Sequence, residues 1–291
     1  MSENITTAMK AQYADDFQLL SQQKGSKLEP YIWWDDVQAQ KGYVDQIGAT
    51  SGQEKRSRNE DTRFSNPEHD RVQITPVPWY DAVLVDKTDI PRIVADPKNK
   101  YKLNQVYAAG RWTDTKILEA ALGTAKTGVA GGTDTDFDDT NNVVAVASSG
   151  LSVAKLHSAR EIFYGYYDVD RDIPLHCALT EYQVQDLLAE TKVGSVDYNS
   201  LKPLVDGVVT RFMGFQFHPL STSIVATDSN DYRRVVCWAE DGLFGGRVSP
   251  VTTTMDRVPL KVNSIAIITE QDAGFTRVEA SKVVEIKCSE A

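Results

Sequence analysis

Cysteine is scarce: the 291 residues hold three, Cys177, Cys237 and Cys288. None stands at Cys-x-x-Cys spacing, so neither a disulfide framework nor a cysteine-rich zinc site is supported, and a reducing compartment is the expected setting. The four histidines, His69, His157, His176 and His218, include no pair at the i, i+4 spacing of helix-borne metal ligands. Each reads as a surface or packed residue. The most apolar stretch, 143–154, is broken by Ser148-Ser149-Gly150 and is shorter than the roughly 20 residues that cross a bilayer. Met1-Ser2-Glu3-Asn4-Ile5 lacks the basic-then-apolar pattern of a secretory signal, which predicts an intracellular, non-membrane protein. Positive charge is in deficit as well. Lys plus Arg is 31 against 41 Asp plus Glu, a net charge of -10, which excludes a broad basic face that wraps nucleic acid.

What remains is an average globular composition, 41% hydrophobic and 25% charged, in a chain about twice the usual domain length. Ile5, Met9, Tyr13, Phe17 and Leu20 recur every three or four positions and predict an amphipathic helix whose apolar stripe packs on its own body or on a neighbouring subunit. Tyr31-Ile32-Trp33-Trp34 with Val37 reads as a strand. From Ser51 to Arg71 the chain is dense in charge, with Glu54, Lys55, Arg56, Arg58, Glu60, Asp61, Arg63 and Arg71 interleaved by sign and Phe64 the only large apolar residue. No core can form there. Strand-like Val72-Gln73-Ile74-Thr75 and Val83-Leu84-Val85 follow, so the pattern is strand, long polar tip, strand: an extended two-stranded arm. The interleaved signs suit salt bridges to a copy of the same chain.

Asp96-Pro97 opens a predicted helix carrying Leu103, Val106, Tyr107, Ile117, Leu118, Ala121 and Leu122 through to Ala125, roughly 40 Å long, with Gly110 as a close-packing point. Residues 128–142 read as a loop or short hairpin, 143–147 as a strand, and 152–164 as a helix. Thr180-Glu181-Tyr182-Gln183 has capping-box spacing for another helix to about Lys192. Strand pairs are expected at 208–212 with 215–217, turning at Met213-Gly214, and at 263–268 with 283–288, turning at Asp272-Ala273-Gly274; further strands are expected at 233–238 and 247–255. The class is α+β.

No motif carries catalysis. Gly123-Thr124-Ala125-Lys126-Thr127-Gly128 has phosphate-loop glycine spacing, yet Val129-Ala130 stands where Lys and Ser/Thr are required, so C-capping of a helix is the better account. Asp134-x-Asp136-x-Asp138 and Asp168-x-Asp170-x-Asp172 resemble the start of a calcium loop, but both lack the glycine and the closing Glu. Neither specifies a metal, and no catalytic or cofactor residue is assigned.

The order of elements resembles the major capsid proteins of tailed double-stranded DNA bacteriophages, whose shell fold is named after a Hong Kong coliphage. Phrases similar to phage capsid sequences are Gln23-Lys24-Gly25-Ser26-Lys27-Leu28, Gln46-Ile47-Gly48-Ala49-Thr50, Ile117-Leu118-Glu119-Ala120-Ala121-Leu122-Gly123-Thr124-Ala125 and Arg211-Phe212-Met213-Gly214-Phe215. The resemblance implies an N-terminal arm over 1–34, an extended loop over 35–85, a peripheral domain with a long spine helix over 86–142, an axial domain over 143–255, and a return to the peripheral domain over 256–291. It further implies pentamers and hexamers in an icosahedral head around double-stranded DNA without sequence-specific binding. Implied partners are a separate scaffolding protein, a portal and a decoration protein, with assembly in the host cytoplasm. The alternatives weighed are an encapsulin-type compartment shell, with the same fold, and an acidic metal-dependent hydrolase using Asp134 to Asp139 or Asp168 to Asp172.

Overall fold

The computed structural model describes residues 19–62, 64–86, 98–167, 169–190 and 210–290. Within them the chain begins in coil and makes a 3-10 turn at Glu29–Tyr31 before β1 (Trp33–Asp36). Pro30 favours the turn, so the strand starts two residues later than the aromatic run predicts. Next come β2 (Gly42–Ile47), β3 (His69–Ile74), β4 (Val77–Val85), helix α1 (Lys98–Leu122), β5 (Ala125–Thr127), β6 (Thr133–Thr135) and β7 (Val143–Val144). Helix α2 (Val153–Glu161), β8 (Leu175–Thr180), α3 (Glu181–Ala189), β9 (Arg211–Phe212), β10 (Phe215–Leu220) and β11 (Arg233–Ala239) follow. The chain closes with β12 (Leu243–Val258), β13 (Ser264–Arg277) and β14 (Val283–Cys288).

The strands form three sheets. One has the order β1-β12-β13-β4, a second β7-β14-β11-β8-β10-β9, and a third β2-β3-β5-β6. The six-stranded sheet is covered on both faces, and the pleat sorts its side chains accordingly. Leu175, Cys177, Leu179, Val235, Cys237 and Ala239 join Leu156, Phe163, Val184 and Leu187 from the α2 and α3 side. On the other face Ala178, Val236 and Trp238 meet Ile117, Leu118 and Ala121 of α1 together with Leu28 and Ile32. Trp238, 0% exposed, satisfies its indole N–H on the Tyr31 carbonyl at 3.0 Å.

Helix α1, about 37 Å long at 1.5 Å per residue, has a buried stripe different from the expected one. Gln105, Ala109, Thr113, Asp114, Ile117, Leu118 and Ala121 are buried, while Leu103 is exposed. The first half of that face is polar because it lies along β13, where Gln105 donates to Ile267 O (2.9 Å) and accepts from Thr269 Oγ1 (3.0 Å), and Gln271 donates to Thr113 Oγ1 (3.1 Å). Gly110 is the expected close-packing point: a Cβ there would overlap the Gly25 backbone. At the C-terminus the helix is not finished by a left-handed glycine. Arg277 of β13, 2% exposed, donates to the Ala121, Gly123 and Thr135 carbonyls at 2.9, 2.8 and 3.1 Å. A guanidinium on the orphan carbonyls satisfies them and meets the negative end of the helix dipole.

Other differences have equally local causes. The helix expected over 152–164 is regular only to Glu161 and finishes in a π-type turn, Ile162–Tyr166. The strand expected at 143–147 pairs with β14 only at Val143 and Val144, and the chain turns away at Ala147 and Ser148, both at positive φ. Asp272-Ala273-Gly274 is not a turn but lies within β13: all three residues pair with β12, and Asp272 and Ala273 pair with β4 as well. Gly274 is needed there for room, since a Cβ would meet the Thr75 carbonyl at 2.8 Å. The Thr180–Gln183 capping box is formed. Met213 and Gly214, both at positive φ, make the two-residue hairpin between β9 and β10.

Candidate assembly surface

The arm is rooted by its own sequence. In the β2–β3 ladder Gly42 faces Ile74, Val44 faces Val72, Asp45 faces Arg71 and Ile47 faces His69. Val44 and Ile74 bury themselves with Val37 and Phe244 in a small separate core. Gly42 is required because a Cβ would meet Ile74 at 2.7 Å. On its other edge β3 continues into β5 and β6 through Val72↔Thr127 and Gln73↔Lys126. The two-stranded arm therefore stands on a four-stranded base.

Beyond the Gly48 N–H to Glu68 carbonyl bond (2.8 Å), no backbone hydrogen bond crosses the loop among the described residues 49–67. Glu54, Lys55, Arg56, Arg58 and Asp61 are exposed, and Phe64 is 92% exposed. Two of the predicted contact residues already have partners in their own chain. Glu60 accepts from the Arg56 and Ser57 amides at 2.6 and 3.2 Å and so folds a local turn. Arg71 lies on β3, not at the tip; it holds Asp45 through Nε (2.5 Å) and NH2 (3.3 Å) and sits over the Tyr43 ring. That pairing lowers the Asp45 pKa. Arg63, Ile5, Met9, Tyr13 and Phe17 lie outside the described residues, and Leu20 is coil, 89% exposed.

The departure of the N-terminal segment is fixed in detail. Asp114 of α1, 0% exposed, accepts from Ser26 Oγ (2.5 Å), from the Lys27 and Leu28 amides (3.1 Å each), and from Gln23 Nε2. One carboxylate thus collects the donors of 23–28. Residues 23–28 are one of the phrases quoted above, yet the sequence alone does not reveal their partner.

A second exposed surface escaped the sequence reading. The β12–β13 hairpin turns through Pro259–Lys261, with Leu260 94% exposed and Val262 and Asn263 at positive φ. Proline, a lone leucine and an asparagine that tolerates the left-handed region were the available signal. Two apolar side chains at a hairpin tip gain nothing from their own chain.

The aspartate runs are spent locally. Asp134 pairs with Lys126, Asp136 accepts from Thr124 Oγ1 (2.6 Å), and Asp138 accepts from the Thr140 and Asn141 amides (3.0 Å each) and from Asn141 Nδ2. Asp170 accepts from the Asp172 amide, and Asp168 is outside the described residues. Among the described residues no group of three His, Cys, Asp or Glu is placed to hold a metal ion. His176 and His218, 42 residues apart, do meet: Nδ1 of one lies 3.1 Å from Nε2 of the other, between the Tyr31 and Trp238 rings. Burial pushes both down to about 4.

The described residues form an α+β body with an exposed charged arm, and comparison with known proteins places it. The family model described as phage capsid protein matches residues 5–290. The chain belongs to that family and is a structural major capsid protein of a phage head, located in the virion capsid. No curated protein matches it. Its fold is similar to the capsid structure of cyanophage P-SCSP1u (TM-score 0.73, 12% identity, 97% of this chain and 94% of that one). It is also similar to the cyanophage Pam1 capsid asymmetric unit (TM-score 0.70, 12% identity, 98% and 97%). A third is the acidic stable capsid of Helicobacter pylori bacteriophage KHP30 (TM-score 0.67, 11% identity, 99% and 97%). Neither the compartment shell nor the hydrolase is favoured by these matches.

Proposed function

We propose that this subunit closes an icosahedral shell by reaching: the 48–68 tip crosses an adjacent copy within pentamers and hexamers, and the N-terminal arm, Ile5 to Leu20, covers another. The observation that carries this reading is the tip itself, five charged residues and a phenylalanine held by no core of their own chain. A head-to-tail interface repeats around five-fold and six-fold rings. An arm laid over the neighbour brings a modest compact contact into the range of stable interfaces, which begins near about 1,200 Å². The six-stranded sheet with α2 and α3 is the axial part, and α1 with the β1-β12-β13-β4 sheet the peripheral part, so that β12, which the expected 143–255 bounds place in the axial domain, goes with its pairing partners β1 and β13. Residues 256–291 serve both, since β13 lies along α1 while β14 sits between β7 and β11.

Assembly takes place in the host cytoplasm with a separate scaffolding protein, a portal and a decoration protein, and the subunit performs no catalysis. A net charge of -10 lets packaged double-stranded DNA slide along the shell without tight adhesion. The test is deletion of residues 53–67 with a short glycine-serine turn in their place. The subunit stays soluble and folded, and electron microscopy shows no stable closed shells. Shells of normal yield and stability would refute the reading.

A further inference from the structure

We infer that Cys177 and Cys237 form a latent disulfide, closed by a peroxide once the subunit leaves a reducing compartment. The two residues face each other directly in the β8–β11 ladder. Their sulfurs are 3.3 Å apart, the Cys237 thiol donating to Cys177. Opposed residues on antiparallel strands place their Cβ atoms about 4.5–5.5 Å apart, adjoining the roughly 3.5–4.5 Å that a disulfide spans. Both side chains already point into the same apolar cluster, so the bond forms by a short approach of two sulfurs without turning either strand. Cys288 shares that cluster, but its register partner is Arg233. It has no thiol opposite it.

The chemistry balances with one peroxide molecule. Attack by one sulfur on the peroxide breaks the O–O bond, forms a sulfenic acid and releases water. The second sulfur then attacks the sulfenic sulfur: the S–S bond forms, the S–O bond breaks, and a second water carries away the remaining hydrogen. Two thiols lose two electrons and peroxide becomes two waters. Peroxide is small and uncharged, which suits a site with no surface exposure.

Burial raises the Cys177 thiol well above its ordinary range and pushes Cys288 up to about 12. Thiolate is therefore scarce and closure is slow. The bond belongs to the long life of a released particle, not to the period of assembly inside a reducing cell. Its consequence is topological. It ties positions 60 residues apart, enclosing α3, β9 and β10, and so restricts the unfolded chain.

The test uses the full-length protein, unassembled and as shells, exposed to hydrogen peroxide, quenched, denatured in an alkylating agent and digested. Expected are a loss of two hydrogens, about 2 Da, a linked peptide joining Cys177 to Cys237, and an alkylated Cys288. The urea midpoint rises relative to reduced protein. Cys288→Ser retains the link, whereas Cys177→Ser and Cys237→Ser lack it; the wild-type peptide map decides the matter if either of these fails to fold. Met255, 42% exposed, reports the dose. Cys177 and Cys237 still fully alkylated after peroxide exposure prolonged well past complete conversion of Met255 to sulfoxide would overturn the proposal, as would a link through Cys288 or between chains.

Discussion

The six-stranded sheet and the β2–β3 arm solve opposite problems with the same backbone geometry. In the sheet, β8 is buried at every position, Leu175 to Thr180, because α2 and α3 cover one face and α1 the other. In the arm, regular pairing ends at Gly48 and Glu68, and the chain beyond is charged and exposed. Where burial decides, each side chain is tied to this chain's own stability. Where it does not, the residues are free to be chosen for a neighbour.

The sharpest way to break that contrast is Trp238→Ala. Losing a fully buried indole and its hydrogen bond costs about 3–5 kcal/mol, and urea unfolding of the unassembled subunit measures it. Arm truncation over 53–67 shifts the same curve by about 0.5 kcal/mol or less, as surface changes do. Asp114→Ala comes next. Removing a buried carboxylate that gathers four donor groups costs on the order of 3 kcal/mol, and amide exchange localises the loosening to residues 23–28.

A pH effect separates the regions further. The folded-state pKa of His176 and of His218 is depressed to about 4, chiefly by burial, with repulsion from His218 and Arg211 added on His176 and from Lys27 on His218. The unfolded chain therefore binds more protons between pH 6.5 and 4. Stability is complete above about pH 6.5 and falls as acid approaches pH 4. Urea unfolding at a series of pH values shows this slope, and His176→Gln with His218→Gln flattens it; the arm contributes no comparable slope. Smallest is the double reversal Arg56→Glu with Arg58→Glu. It leaves subunit unfolding unchanged and weakens assembly more at low salt than at high, as light scattering reports, because screened surface attraction is being removed.

The same contrast explains what was legible in the sequence. Alternating apolar residues around a charged tip announced the arm, and Thr180 with Gln183 announced α3, because those signals are local. The buried face of α1 was misread in its first half because Gln105 and Thr113 are buried for their hydrogen bonds to β13, and hydrophobic periodicity does not register such residues. Gly274 looked like a turn because a glycine serving close approach and a glycine serving positive φ are the same letter. The histidine pair and the Asp114 clasp join residues dozens of positions apart, and spacing holds no record of either.

Asp114 has a mechanical meaning as well. Gln23, Ser26, Lys27 and Leu28 fasten to the interior of α1, not to its end, and one turn away Gly25 lies directly on Gly110. A tug on the first twenty residues enters the helix broadside and passes into β13 through Gln271 and Thr113. Tension between neighbouring subunits would then be carried by a stiff beam lying on a sheet, with residues 23–28 as its fixed cleat.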